Sequence, residues 1–201
     1  MCNTYLIKPK RGSAKAVAGR VADAVKKLSS PLVRKSDPGI VVLSGDRVEA
    51  MRWGFHRSFN PSINNARSEK LETGMWAESF LERRCVIPMT VFYEWGPGVG
   101  GGKQAHEVHD PGDDYLWVAG IWEENPELGP CYSMVTTAAS PAMEPIHHRM
   151  PALLGPEEME EFVTGSGHWD FQPFSGSLVV TPCESPLTKR HGGGDQQPEL
   201  F

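Results

Sequence analysis

Between Cys85 and Ala139 four β-rich segments follow one another with only turn residues between them, which restricts the chain to folds built on a mainly antiparallel sheet. CVIPMTVFYEW at 85–95 is dense in β-branched and aromatic residues, with Pro88 expected at a bulge or an edge. GPGVGGG at 96–102 reads as a hairpin tip and KQAHEVH at 103–109 as the returning strand. A PGDD turn then leads to YLWVAGIWE at 115–123, and CYSMVTTAA at 131–139 continues the pattern. Upstream, IVVL at 40–43 and VEAMRWGF at 48–55 form a hairpin across Gly45 and Asp46, while SLVVTP at 177–182 is the last strand. FNPSINNARSE at 59–69 holds too many turn formers for a regular element and is expected as a loop over the core.

Helices are few. Residues 13–30 place Ala14, Val17, Ala18, Val21, Val25 and Leu28 on one face, with Ser13 as N-cap and Lys15, Arg20, Lys26 and Lys27 on the other. Residues 73–84 form a second short helix, and Pro156 opens a third that Gly165 closes. The expected class is therefore α+β: a mainly antiparallel, barrel-like β-sheet core with a few peripheral helices. One domain spans 1–201, with a polar tail at about 191–201. The 21 glycines and 17 prolines suit short elements better than a helical bundle.

With 39% apolar residues the chain can build its own core, and no apolar run approaches the ~18 residues of a membrane span. The N-terminus lacks the apolar stretch of a signal peptide, so a cytoplasmic protein without membrane contact is expected. A formal charge of −5 discourages a non-specific nucleic-acid coat and leaves room only for a local basic groove. Cys2, Cys85, Cys131 and Cys183 include no C-x-x-C pair, so free thiols are expected and no metal site, the last three being inert core residues. His106 and His109 are three apart in a strand and face opposite ways, which further weakens a metal reading.

Cys2 becomes a 1,2-aminothiol if Met1 is removed. Its α-amine at about 7.7–8.0 and thiol at about 8.5 would supply neutral amine and some thiolate near pH 7. Such a pair condenses with an aldehyde to an imine and then to a thiazolidine ring; a cysteine that merely falls at position 2 is the competing reading. Asn65 and Arg67, two apart, would point the same way from an extended backbone and offer an amide and a phosphate-binding fork, or else an Asx turn and a surface cation. Glu94, inside FYEW, is either a part-buried acid whose pKa is raised for proton transfer or a strand-end carboxylate meeting solvent or an arginine. His147, His148 and Arg149 combine an acid–base group near pH 7 with a phosphate contact. In an extended segment the two histidines diverge by about 180°, so only one would face Cys2. Trp53 and Phe55, flanked by Arg52, His56 and Arg57, offer a base-stacking platform or else belong to the core.

Cys2, NNARSE at 64–69, RCVIPMTVFYEW at 84–95 and IHHRMP at 146–151 together resemble the signature blocks of the SRAP family, the SOS-response-associated peptidases or abasic-site-crosslinking proteins. The resemblance runs in order over nearly the whole chain, and WGF at 53–55 and VAGIWE at 118–123 add to it. It implies that mature Cys2 captures the aldehyde of an abasic site in single-stranded DNA as a thiazolidine. Asn65 and Glu94 would orient it and shuttle protons, and His147 would open the deoxyribose. Arg67 and Arg149 would hold flanking phosphates. The family's usual Cys-Gly-Arg start is Cys2-Asn3-Thr4 here, so Arg52 or Arg57 would stand in for the missing arginine. His148 replaces a common Asp. The implied protein is a cytoplasmic, bacterial-type monomer, associated with the nucleoid when bound to DNA. It needs no cofactor, has weak lyase activity, and releases Met1, by self-cleavage in one version. The competing classes are an N-terminal-nucleophile amidohydrolase or peptidase, in which the α-amine of Cys2 is the base, and a non-covalent single-strand-binding module.

Overall fold

Strand formers dominate the chain and sort into two large sheets joined by a continuous segment, with β-strands at 55–57 and 60–63 pairing as a small third. The computed structural model describes residues 2–9, 17–112 and 114–187. Its strands begin with β1 (Thr4–Leu6), β2 (Leu32–Arg34), β3 (Pro38–Leu43), β4 (Arg47–Trp53), β5 (Phe55–Arg57), β6 (Asn60–Ile63) and β7 (Asn65–Arg67). They continue with β8 (Arg84–Met89), β9 (Val91–Pro97), β10 (Lys103–His109), β11 (Leu116–Asn125), β12 (Gly129–Ala138), β13 (Arg149–Pro151) and β14 (Val179–Cys183). The helices are α1 (Val17–Val25), α2 (Ala77–Glu82) and α3 (Glu158–Thr164).

The sheet β11–β8–β3–β4–β12 closes on itself, because β12 also pairs with β11. Closure leaves these strands no free edge, and every residue of β8 is buried. Its ladders are antiparallel except where Cys131 and Tyr132 of β12 run parallel to Arg52 and Trp53 of β4. The second sheet, β14–β10–β9–β1–β2, is antiparallel throughout. The α+β, barrel-like reading therefore holds. Helix α1 buries Val17, Ala18, Val21 and Val25 as the spacing predicts, and Leu28 packs on the core beyond its end. Ser13, Ala14 and the polar tail at 191–201 lie outside the described residues.

Two segments differ from their sequence reading. The single strand expected at 85–95 is divided at Thr90, whose backbone N–H and hydroxyl both donate to the Leu6 carbonyl, at 2.8 and 3.0 Å. That turns the chain from β8 in the barrel to β9 in the second sheet, a change that strand propensity cannot register. The loop expected at 59–69 instead contains β6 and β7. Strand β7 exists because β12 offers it a parallel partner, with Asn65 opposite Met134 and Arg67 opposite Thr136. Gly54 makes room for this by bending the chain out of β4 at φ +116°, where a Cβ would lie 2.1 Å from the Ser62 hydroxyl oxygen.

Trp53 is core, not a platform for bases. It is fully buried, edge-on to Tyr5 at 5.1 Å and stacked on Tyr132 at 6.4 Å, and the two tyrosine hydroxyls meet at 2.5 Å. Its large apolar body gains more by leaving water inside the barrel than an exposed ring would. Cys85 and Cys131 are buried thiols, pushed up by that burial, whereas Cys183 is only half-buried in the outer strand β14.

Candidate active site

The start of the chain enters the second sheet beside β9, with Tyr5 opposite Phe92. Carried on by two residues, this antiparallel register brings Asn3 level with Glu94. Cys2, just before β1, is 1% exposed, and its Sγ donates to the Thr4 carbonyl at 3.3 Å. Burial, and after it the negative charge of Glu94, pushes the thiol up to about 12. The expectation of ready thiolate near pH 7 is thus corrected: out of water and facing a carboxylate, the neutral form wins.

Two amides grip the Cys2 carbonyl. Asn65 Nδ2 donates to it at 2.9 Å and Asn64 Nδ2 at 3.2 Å, while Asn64 also reaches Asn3 Oδ1 at 3.3 Å. The carbonyl of Asn64 is itself fixed by the indole N–H of Trp53 at 2.9 Å and the backbone N–H of Met134 at 3.0 Å. Sequence reasoning missed Asn64; its only signal is the doubled Asn in NNARSE. Asn65 Oδ1 is buried and meets no hydrogen-bond partner among the described residues, which leaves an acceptor ready for a donor on a bound molecule.

Glu94 is 3% exposed, and its Oε1 accepts the Trp95 N–H at 3.2 Å. Its charge raises both the Cys2 thiol and the His147 imidazole, so the three groups share one electrostatic neighbourhood. Gly96 lets the loop bearing His147 pack closely on β9: a Cβ at that point would lie 3.0 Å from Ile146 Cγ2 and 3.1 Å from its Cα, so a side chain there would push the loop before β13 outward by a few tenths of an ångström. Burial lowers the His147 imidazole and outweighs Glu94, which keeps the ring neutral near pH 7. Its Nδ1 lies 3.0 Å from the Arg149 N–H and 3.1 Å from the Arg149 carbonyl oxygen. It accepts from the first or donates to the second, so Nε2 is an acid in one tautomer and a base in the other without rotation of the ring.

The two histidines do not diverge. Their rings stack at 4.4 Å and 23°, with His148 exposed outside His147. The backbone here is turned rather than extended, since the N–H groups of Ile146 and His147 both bond to the Met143 carbonyl at 2.9 Å.

Three of the four arginines read as DNA contacts are engaged within the protein. Arg52 donates to Gly54 O, Ser36 Oγ and Pro61 O at 2.6, 2.8 and 3.0 Å. Arg57 forks onto Glu123 at 2.6 and 2.8 Å, and Arg149 onto Glu69 at 3.0 and 3.0 Å. Arg67 is exposed and has no side-chain partner among the described residues.

A family model, SOS response associated peptidase (SRAP), matches residues 1–188. The abasic site processing protein YoqW of Bacillus subtilis (strain 168) is 30% identical over 131 residues, covering 60% of this chain and 58% of that protein. The abasic site processing protein HMCES of Gallus gallus is 33% identical over 148 residues, covering 56% of this chain and 44% of that protein. The chain thus spans about half the length of the curated relatives it matches. An X-ray structure of a protein from Bacteroides thetaiotaomicron overlays 90% of this chain on 91% of that one with TM-score 0.73 at 21% identity, a likeness of fold.

Proposed function

The chain belongs to the SOS response associated peptidase family, and from that premise we propose that it processes abasic sites in DNA by joining the lesion covalently to Cys2. The observation that carries this reading is the convergence on Cys2. Asn64 and Asn65 hold its carbonyl, and the charge of Glu94 acts on both its thiol and the His147 imidazole. The names of the relatives, abasic site processing proteins, agree with it.

Release of Met1, by self-cleavage or otherwise, frees the α-amine. The amine adds to the C1′ aldehyde of the ring-opened sugar, and loss of water leaves an imine. The Cys2 sulfur then bonds to the same carbon while a proton moves to the imine nitrogen, closing a thiazolidine. A thiol held up to about 12 cannot do this as a preformed thiolate, so the Glu94 carboxylate takes its proton as the C–S bond forms. His147 delivers a proton to the sugar ring oxygen during opening, and the free Asn65 Oδ1 accepts an N–H or O–H of the tetrahedral adduct. From the imine, removal of a C2′ proton and departure of the 3′ phosphate give a minor lyase route. Arg67 is the phosphate contact, the substrate is single-stranded, and the protein acts as a monomer in the cytoplasm, beside the nucleoid.

A single-stranded oligonucleotide treated with uracil glycosylase should give a heat-stable shifted band on a denaturing gel. Cys2→Ala should abolish the band, and an N-terminal extension whose mass shows it is retained should block it. Normal crosslinking by the extended chain overturns the mechanism. Hydrolysis of glutamine or a simple amide with no adduct would favour the N-terminal-nucleophile amidohydrolase instead.

A further inference from the structure

Arg149 is engaged on both sides. Its guanidinium forks onto Glu69 and also donates to the Thr136 carbonyl, and its side chain is 11% exposed against 50% for Glu69. Its backbone N–H and carbonyl are the two groups that face Nδ1 of His147. Glu69 lies in the turn Ser68–Lys70 that directly follows β7, the strand bearing Asn65. Strands β7 and β13 lie on either side of β12, and Thr136 is the register partner of both Arg67 and Pro151. The Glu69–Arg149 pair therefore spans β12 and ties the strand that grips Cys2 to the residue that frames His147.

We propose that Glu69, through Arg149, is a positioning residue that fixes the His147 imidazole relative to the Asn65–Cys2 contact. The inference rests on the crosslinking reading for its kinetic consequence, but not for its geometry. A forked pair to a side chain with little rotational freedom restrains direction as well as distance, which a single exposed ion pair does not do. Held this way, Arg149 presents its N–H and carbonyl to one face of Nδ1, while Glu94 and His148 supply the neighbouring charges. The Glu69 carboxyl sits below the usual range: burial would raise it, but hydrogen bonds from its own backbone and from Arg149 outweigh that. Glu69 therefore stays ionised, and the pair intact, near neutral pH.

The test is Glu69→Gln, with Glu69→Asp as the milder variant should the first fail to fold. Imidazole nitrogen NMR on the DNA-free protein should show the His147 midpoint rising toward ~6.5 and its nitrogen shifts moving toward those of a free tautomer mixture. Adduct formation with abasic single strands should slow about tenfold. The same substitution in a His147→Ala background should change the rate less than twofold, because Glu69 acts through that ring. Unchanged NMR signals overturn the proposal. So does tighter DNA binding with a salt slope steeper by ~0.7, which would mean that Glu69 merely masks Arg149 from phosphate. If the unaltered chain forms no adduct at all, the functional reading falls while the NMR arm still decides this one.

Discussion

Glu94→Gln should make the Cys2 thiol more reactive toward a disulfide reagent while making the chain less able to capture an aldehyde. Burial and the Glu94 charge together hold the thiol up to about 12, so at pH 8 about one molecule in ten thousand carries thiolate. The amide has the shape of the carboxylate without its charge. Burial, the larger cause, persists, and loss of the like charge should lower the thiol by ~1 unit, the lower end of what a close charge does. Thiolate then rises about tenfold, but the less basic sulfur is about threefold less nucleophilic at a Brønsted slope of ~0.5, which leaves a net acceleration of about threefold. The assay is pseudo-first-order exchange with an aromatic disulfide at pH 8, assigned by mass spectrometry on chains of equal N-terminal mass. Cys183 is the internal control, because its thiol is raised by burial and Glu107 rather than by Glu94. Over the same substitution, adduct formation with abasic DNA should fall by ~10²-fold or more through loss of the proton acceptor. If Cys2 exchanges no faster while Cys183 is unchanged, the carboxylate does not act on the thiol and both halves of the reasoning fail.

The arginines separate by salt. Arg67→Ala should weaken single-strand binding and flatten the dependence of log affinity on log salt by ~0.7, whereas Arg57→Ala should leave that slope alone and cost about 1–3 kcal/mol in thermal unfolding through the lost fork to Glu123. An unchanged slope for Arg67→Ala removes it from the interface. His148→Ala should shift the acid limb of the adduct-formation rate upward, measured by single turnover between pH 5 and 8. The His147 imidazole is lowered first by burial and to a lesser extent by the His148 charge, and removing the stacked ring relieves both. The sign also fixes stability: with a depressed folded value, the contribution of His147 is present above ~6.5 and is lost as pH falls through that lower value. A downward shift of the limb in His148→Ala contradicts the stacking argument.

Strand pattern and motif order made the barrel, Cys2, Asn65, Glu94 and His147 legible in the sequence, because each lies in or beside a segment whose local chemistry is distinctive. The arginines were not legible in the same way. Arg57 meets Glu123 across 66 positions and Arg149 meets Glu69 across 80, and no local pattern distinguishes a guanidinium that will find a carboxylate at such range from one left for a phosphate. Trp53 was ambiguous for a related reason. Flanking Arg52, His56 and Arg57 suggest a wet surface, but the parallel pairing of β4 with β12 decides which way the indole points. The parallel bend of the two histidines depends on hydrogen bonds to Met143, which residue types alone do not announce.

Strand β12 connects these outcomes. Its first half closes the barrel against β11 and β4, and its second half carries β7 on one side and β13 on the other, with seven consecutive residues buried. The apolar burial that fixes the barrel therefore also fixes the separation of Asn65 from His147, and a site on such an element is held more closely than one on free loops. Cys2, however, leads into the other sheet through β1, so its position depends on how the two large sheets lock together. The lock is Thr90 on Leu6 and the Tyr5–Trp53–Tyr132 cluster. Within that cluster the Trp53 indole N–H bonds the carbonyl of Asn64, whose amide in turn holds Cys2. The tryptophan thus carries the register of the barrel directly to Cys2, a role that requires its burial and could not coexist with stacking on a base.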